Sequence, residues 1–284
     1  MLNKIILLIL ISICLSVNAE QKNSIFWHMK DLNGQAHYIF GTIHVDDSRV
    51  TNFHHNVYEA LSTSTLFLNE TDAIDDFSIL FHPEAIIEKN FTSEELEKIK
   101  ELSYFHTMPY ENTIKMKPWL LAFIFNSPRP ITPFNQDNLL KSKAIDKGLK
   151  TLGIETVNEH FETLDFFSDN EQLRILRAVL AKTENNKIED YENLIKNYVE
   201  MNVDKILLID QQNTKNLVSA QLWLKMKKKL LVDRNKLFAD RIKSKLKNNQ
   251  LFIAVGSSHL GGENGLISQF KLMGFELTPL SAFN

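Results

Sequence analysis

Two distant segments of the chain carry the same pattern. Gly41-Thr42-Ile43-His44 follows the apolar run Tyr38-Ile39-Phe40, and Gly256-Ser257-Ser258-His259 follows Ile253-Ala254-Val255. Each copy reads as a strand, then glycine, a hydroxyl residue, one more residue, histidine and an aliphatic residue. The glycine is expected to let the chain leave the strand with an unusual backbone angle. The histidine then stands at the carboxyl end of its strand, the edge of an α/β sheet where ligands bind. Two further strand-like runs end in acids: residues 64–69 in Glu70, with Asp72 beyond, and residues 150–154 in Glu155. If the four strands lie parallel in one sheet, His44, Glu70, Glu155 and His259 gather at one edge. Two imidazoles with one or more carboxylates are a common donor set for zinc, manganese, cobalt or iron. His44, His259 and Glu70 are the expected ligands, and Glu70 is equally a candidate general base on a water held by the metal. The plain alternative is a pair of loop histidines that hold strand ends by hydrogen bonds, with Glu70 capping the next turn.

Positioning these residues requires a sheet. Asn33-Gly34 between residues 24–30 and 36–41 signals a β-hairpin. Residues 52–62 have helical spacing. Thr92 and Glu95 make a capping box for a helix to about residue 103. Pro118-Trp119 opens an apolar segment to Phe125, which Pro128, Pro130 and Pro133 end. Residues 136–147 read as a helix. From 157 to 247 there is no convincing strand, only amphipathic helices with Leu, Ile and Phe three and four apart. Four lysines around Met226, from Lys225 to Lys229, read as the solvated face of one of them. Residues 252–255 are a buried strand. Residues 266–273 are a helix ending at Gly274, and residues 275–280 a closing strand.

Composition limits the function classes. The 284 residues are 44% hydrophobic and 24% charged, proportions that exclude a disordered chain. Lys+Arg is 32 and Asp+Glu is 35, a formal charge of −3 that excludes a globally basic nucleic-acid binder. Residues 1–19, with Lys4, an apolar run and a closing Val-Asn-Ala, have the layout of a secretory signal peptide cut after Ala19. The one cysteine, Cys14, lies in that run. Cleavage would therefore leave no cysteine for a disulfide, a zinc module or a nucleophile. No later segment is apolar enough to span a membrane. The expected place of the protein is the periplasm or the exterior. The sequence has no H-E-x-x-H, G-x-S-x-G or Walker A motif.

At these residues the chain resembles the TraB/GumN family, which includes the PrgY pheromone-shutdown proteins and the Tiki proteases. Gly41 to His44 resembles the family's first G-x-x-H, and Glu70 with Asp72 its acidic strand end. Lys117-Pro118-Trp119, Gly153-Ile154-Glu155-Thr156 with Glu159, and Arg234-Asn235 resemble further family segments. Residues 256–260, Gly265-Leu266 and Pro279-Leu280 resemble its C-terminal block. There are two departures: His160 replaces a common glutamine, and Gln136 precedes Asp137 where a glycine or small apolar residue is usual.

The resemblance implies an α/β fold related to the erythromycin-esterase and ChaN-like folds. A mixed central sheet with flanking helices would form two pseudo-repeated halves, each with a G-x-x-H strand end. A helical segment over 157–247 would belong to one domain spanning 20–284. The implied activity is that of a metal-dependent hydrolase, probed first as a peptidase of peptide or protein substrates. The alternative is a non-catalytic peptide- or haem-binding protein of the same fold. A third reading is an interaction protein with structural histidines. Glu155 either completes the site or pairs with Arg234 in a buried ion pair. Arg234 either does that, binds a substrate carboxylate, or polarises a carbonyl. The expected cofactor is a divalent zinc, manganese or cobalt ion.

Overall fold

The Asn33-Gly34 turn does what its residues favour. Gly34 takes φ +82°, and Asp31 Oδ1 accepts from the Asn33 and Gln35 amides at 2.9 and 2.8 Å. This turn joins β1, Phe26–Lys30, to β2, Ala36–Thr42, as an antiparallel pair. The computed structural model describes residues 23–283, so the leader expected over 1–19 lies outside the described residues.

Four more strands complete a mixed sheet: β3 Leu66–Thr71, β4 Lys150–Glu155, β5 Leu251–Gly256 and β6 Glu276–Leu280. Their order is β4-β3-β5-β2-β1-β6. The pairs β4–β3, β3–β5 and β5–β2 are parallel, while β1 is antiparallel to both β2 and β6. β5 lies between two parallel neighbours and has helices on both faces. It is accordingly an unbroken apolar run, LFIAVG. Register sets Thr42 opposite Gly256, Asn69 opposite Ala254 and Thr71 opposite Glu155. The carboxyl ends of β2, β3, β4 and β5 therefore share one edge.

One core packs the sheet against Val57 and Leu61, Leu140 and Ala144, Tyr198, Phe238 and Ile242, and Phe270. A second core lies apart from the sheet, where Ile99, Leu121, Phe125, Leu176 and Leu180 meet. The capping box Thr92–Glu95 starts the helix Ser93–Phe105, as its spacing predicts. Lys117 and Trp119 both donate to Asp165, at 2.5 and 3.0 Å. These bonds tie the start of the helix Pro118–Asn126 to the end of the helix Val157–Leu164.

The stretch from Val157 to Leu246 is helical as read from its spacing, with one irregularity. Between the helices Ala220–Met226 and Arg234–Leu246 lies a π-helix, Lys227–Asp233. Of the lysines here Lys228 is solvated, as its spacing predicts, but Lys225 is not fully so. Lys225 pairs with Glu171 at 2.6 Å and lies over the rings of Phe166 and Phe167, so its stem covers apolar surface. Among the described residues no helix is long and apolar enough to cross a membrane.

Candidate functional site

The strand-end glycines act differently from expectation. Neither Gly41 nor Gly256 has a positive φ, and Gly256 sits at φ −52°, ψ 135°, open to any residue. Their role is clearance. A Cβ on Gly41 would stand 2.7 Å from Leu260 Cδ1 and 3.0 Å from Ser257 Cα. A Cβ on Gly256 would stand 3.1 Å from Glu70 Oε1. The first glycine thus lets the two histidine-bearing loops pack together, and the second admits a carboxylate beside the β5 backbone.

His44 is half-exposed. Its Nδ1 lies 2.8 Å from Asp137 Oδ2, and Asp137 Oδ1 accepts from Thr42 Oγ1 at 2.7 Å. Gln136, the preceding residue, accepts from the Ile43 amide at 2.8 Å and donates to Val50 O at 2.6 Å. The departure Gln136-Asp137 therefore clamps the first strand end from the helix Gln136–Asp146. The Asp137 carboxylate outweighs burial and pushes the His44 pKa up to about 9, so the ring is an imidazolium at neutral pH.

His259 is buried. Asn235 Nδ2 donates to Asn264 O at 2.9 Å, which turns Asn235 Oδ1 toward His259 Nδ1 at 2.6 Å. Nδ1 therefore carries the proton and Nε2 the lone pair. Burial lowers the His259 pKa to about 4, so the ring stays neutral.

Arg234 lies at the centre. Its Nη2 donates to Glu70 Oε2 at 2.6 Å and to Glu155 Oε1 at 2.7 Å, and Nη1 lies 3.2 Å from His259 Nε2. Glu70 Oε1 accepts from the Gly256 amide at 2.7 Å. Burial would raise the pKa of both carboxyls. The Arg234 charge reverses this for Glu70, and hydrogen bonds from His160 and Arg234 do so for Glu155, so both are held ionised below the usual carboxylate range. Of the two readings for Glu155, the buried ion pair with Arg234 is the one observed. Asp72 stands outside the cluster, where its Oδ1 accepts from the Gly153 amide at 2.7 Å and ties β3 to β4.

The fit to a metal rests on the donor atoms. Two donors each about 2.1 Å from one ion lie roughly 3–4 Å apart. His259 Nε2 and Glu70 Oε1 are 3.7 Å apart. His44 and His259 each have Nδ1 against a fixed oxygen, the arrangement that leaves Nε2 to bind an ion. Glu70, Glu155 and His160 form the cluster whose ligand atoms lie within 4.8 Å of one another. Arg234 Nη2 already reaches all three, so the cation among them is the guanidinium. Among the described residues His44 does not join Glu70 and His259 in a cluster of this kind, and Arg234 Nη1 stands 3.2 Å from His259 Nε2, so an ion between His259 and Glu70 would have to displace the guanidinium from that nitrogen.

Sequence reasoning brings His44, Glu70, Glu155 and His259 to one edge, with Arg234 as one candidate partner of Glu155, but assigns no partner to either histidine. Asp137 and Asn235 supply those partners. Asn235 adjoins Arg234, and Asp137 opens the helix after the proline stretch, but neither position reveals its contact. His160 was visible only as a departure from a glutamine. Its Nδ1 lies 2.7 Å from Glu155 Oε1.

No curated protein matches the chain at a significant level. A family model described as the TraB/PrgY/gumN family matches residues 25–279. That match takes in β1 to β5, all but the last residue of β6, the four strand ends and Arg234, and the chain belongs to the TraB/PrgY/gumN family.

Proposed function

We propose that the protein is a metal-dependent hydrolase that cleaves an amide bond in a peptide or protein outside the cytoplasm. The observation that carries this reading is the pairing at one edge of an ionised Glu70 and a neutral His259, 3.7 Å apart, beside a buried arginine. His259, Glu70 and His44 would hold the ion, which would supply Lewis-acid polarisation of a carbonyl oxygen. Asn235 fixes the His259 ring so that Nε2 faces the site. Asp137 orients His44 at the half-exposed mouth. The imidazolium proton must leave His44 before its ring can bind a cation, so ion uptake releases protons below about pH 9. Glu155 holds Arg234 in place, and Arg234 offers a fixed positive charge to the oxygen that gains charge as the carbonyl is attacked. Periplasmic or extracellular residence rests on the leader in residues 1–19.

The test is the metal content of protein purified without chelators, beside His259→Ala with its fold checked by circular dichroism. One equivalent of metal in the wild type, lost in the folded variant, supports the reading. No metal in the wild type after reloading with zinc, manganese or cobalt overturns it and favours the peptide- or haem-binding alternative.

A further inference from the structure

Hydrolysis at this edge needs a group to take a proton from the attacking water, and the carboxylates are poorly suited. Glu70 accepts from the Gly256 amide through Oε1 and from Arg234 through Oε2. Glu155 accepts from Arg234 through both oxygens. Hydrogen bonds and a neighbouring cation stabilise the ionised form and weaken each as a base. The lone pair of His259 Nε2 faces Arg234 Nη1. His44 carries its proton against Asp137.

His160 differs from all of these. It lies on the first turns of the helix Val157–Leu164, directly after β4, and a capping box of Thr156 with Glu159 fixes that helix start. Its Nδ1 is 2.7 Å from Glu155 Oε1. Arg234 Nη2 also lies 3.4 Å from this nitrogen, but the Glu155 contact is far shorter, and a carboxylate oxygen would repel an unprotonated nitrogen at 2.7 Å, so Nδ1 carries the proton and donates to Glu155. Nε2 then holds the lone pair. It makes no hydrogen bond within the described residues, and the side chain is 24% exposed. A carboxylate behind an imidazole with a free, water-reached nitrogen is the arrangement that lets histidine act as a base.

We propose that His160 is a catalytic residue of this chain, a general base whose Nε2 takes a proton from the attacking water while Glu155 orients the ring through Nδ1. The inference rests on the hydrolase reading and deepens it. As the water oxygen bonds to the carbonyl carbon, its proton passes to His160 Nε2. As the carbon–nitrogen bond breaks, that proton passes from Nε2 to the departing nitrogen. The ring returns to its starting form, and Nδ1–H stays on Glu155 throughout. Glutamine, the residue usual at this position in the family pattern, cannot take up this proton.

The experiment compares the metal-loaded wild type, His160→Gln and His160→Ala on internally quenched peptide pools and fluorescein-labelled casein. The expected result is a kcat lower by roughly 10²–10⁴-fold in both variants. KM should stay close to wild type, and added imidazole should partly restore His160→Ala. Full activity in His160→Gln would overturn the proposal and leave the hydrolase reading standing. Cleavage of neither probe by the wild type would overturn both. Nitrogen-15 spectra of histidine-labelled protein add a check that needs no substrate. An Nε2–H tautomer at His160 would also overturn the proposal.

Discussion

The ends of β2 and β5 are adjacent, parallel and alike in sequence, yet their histidines differ in charge. His44 is half-exposed and faces a carboxylate, and it is held protonated. His259 is buried and faces an amide oxygen, and it is held neutral. The motif places an imidazole at a strand end, but the surroundings set its protonation, the Asp137 carboxylate raising one pKa and burial lowering the other, while each ring has its own Nδ1 partner. That partner comes from a distant helix, Gln136–Asp146 in one case and Arg234–Leu246 in the other. A repeated pattern can thus deliver two chemically distinct groups to one edge.

The largest effect should come from the charge that only the β5 side holds close. Arg234→Ala would leave Glu70 and Glu155 buried without their cation, a loss of about 3–5 kcal/mol. Urea unfolding should show it as a large drop in midpoint. A midpoint within error of wild type would mean that the carboxylates find another partner.

The glycines should separate the two ends by a smaller margin. Gly41→Ala drives a Cβ toward Leu260 and the Ser257 backbone, and overpacking of this kind costs about 1–3 kcal/mol. Gly256→Ala crowds the tip of Glu70 and otherwise meets the His259 ring at an ordinary 3.7 Å, so it should cost less stability while shifting that carboxylate. Equal losses in the two variants would contradict the clearance roles assigned to them.

The smallest and most selective test exchanges the partners. The folded pKa of His44 lies above its unfolded value of 6.5, so its contribution to stability is full below pH 6.5 and is lost as pH rises through about 9. The folded pKa of His259 lies below the same value, so stability falls as pH drops from 6.5 toward about 4. Asp137→Asn should lower the His44 pKa and flatten the alkaline loss. Asn235→Asp should raise the His259 pKa and lessen the acid loss. Proton NMR titration of the two rings reads both changes directly. Unchanged titrations in both variants would show that the Nδ1 partner does not set the charge.

Much of this was legible in local sequence. The hairpin, the strands and the long helical stretch follow from turn residues, apolar runs and three- and four-residue spacing. The gathering of His44, Glu70, Glu155 and His259 at one edge follows once their strands are parallel. The contacts that decide chemistry were not legible, because they join residues far apart. Asp137 is 93 positions from His44. Nothing in a capping position or a helix face says which strand end it will meet. Gly41 was misread for the same reason. A glycine required by a neighbouring loop looks, in sequence, like one required by its own backbone.

The π-helix Lys227–Asp233 has a consequence for how the chain tolerates change. It directly precedes Arg234, the first residue of the helix Arg234–Leu246. The wide turn therefore sets the bearing from which Arg234 reaches Glu70 and Glu155. Side chains on the outside of this segment can vary without moving that bearing. Deletion or insertion of a single residue would change the hydrogen-bonding pattern of this turn and with it the bearing of the guanidinium. The segment is thus constrained in length more strictly than in composition.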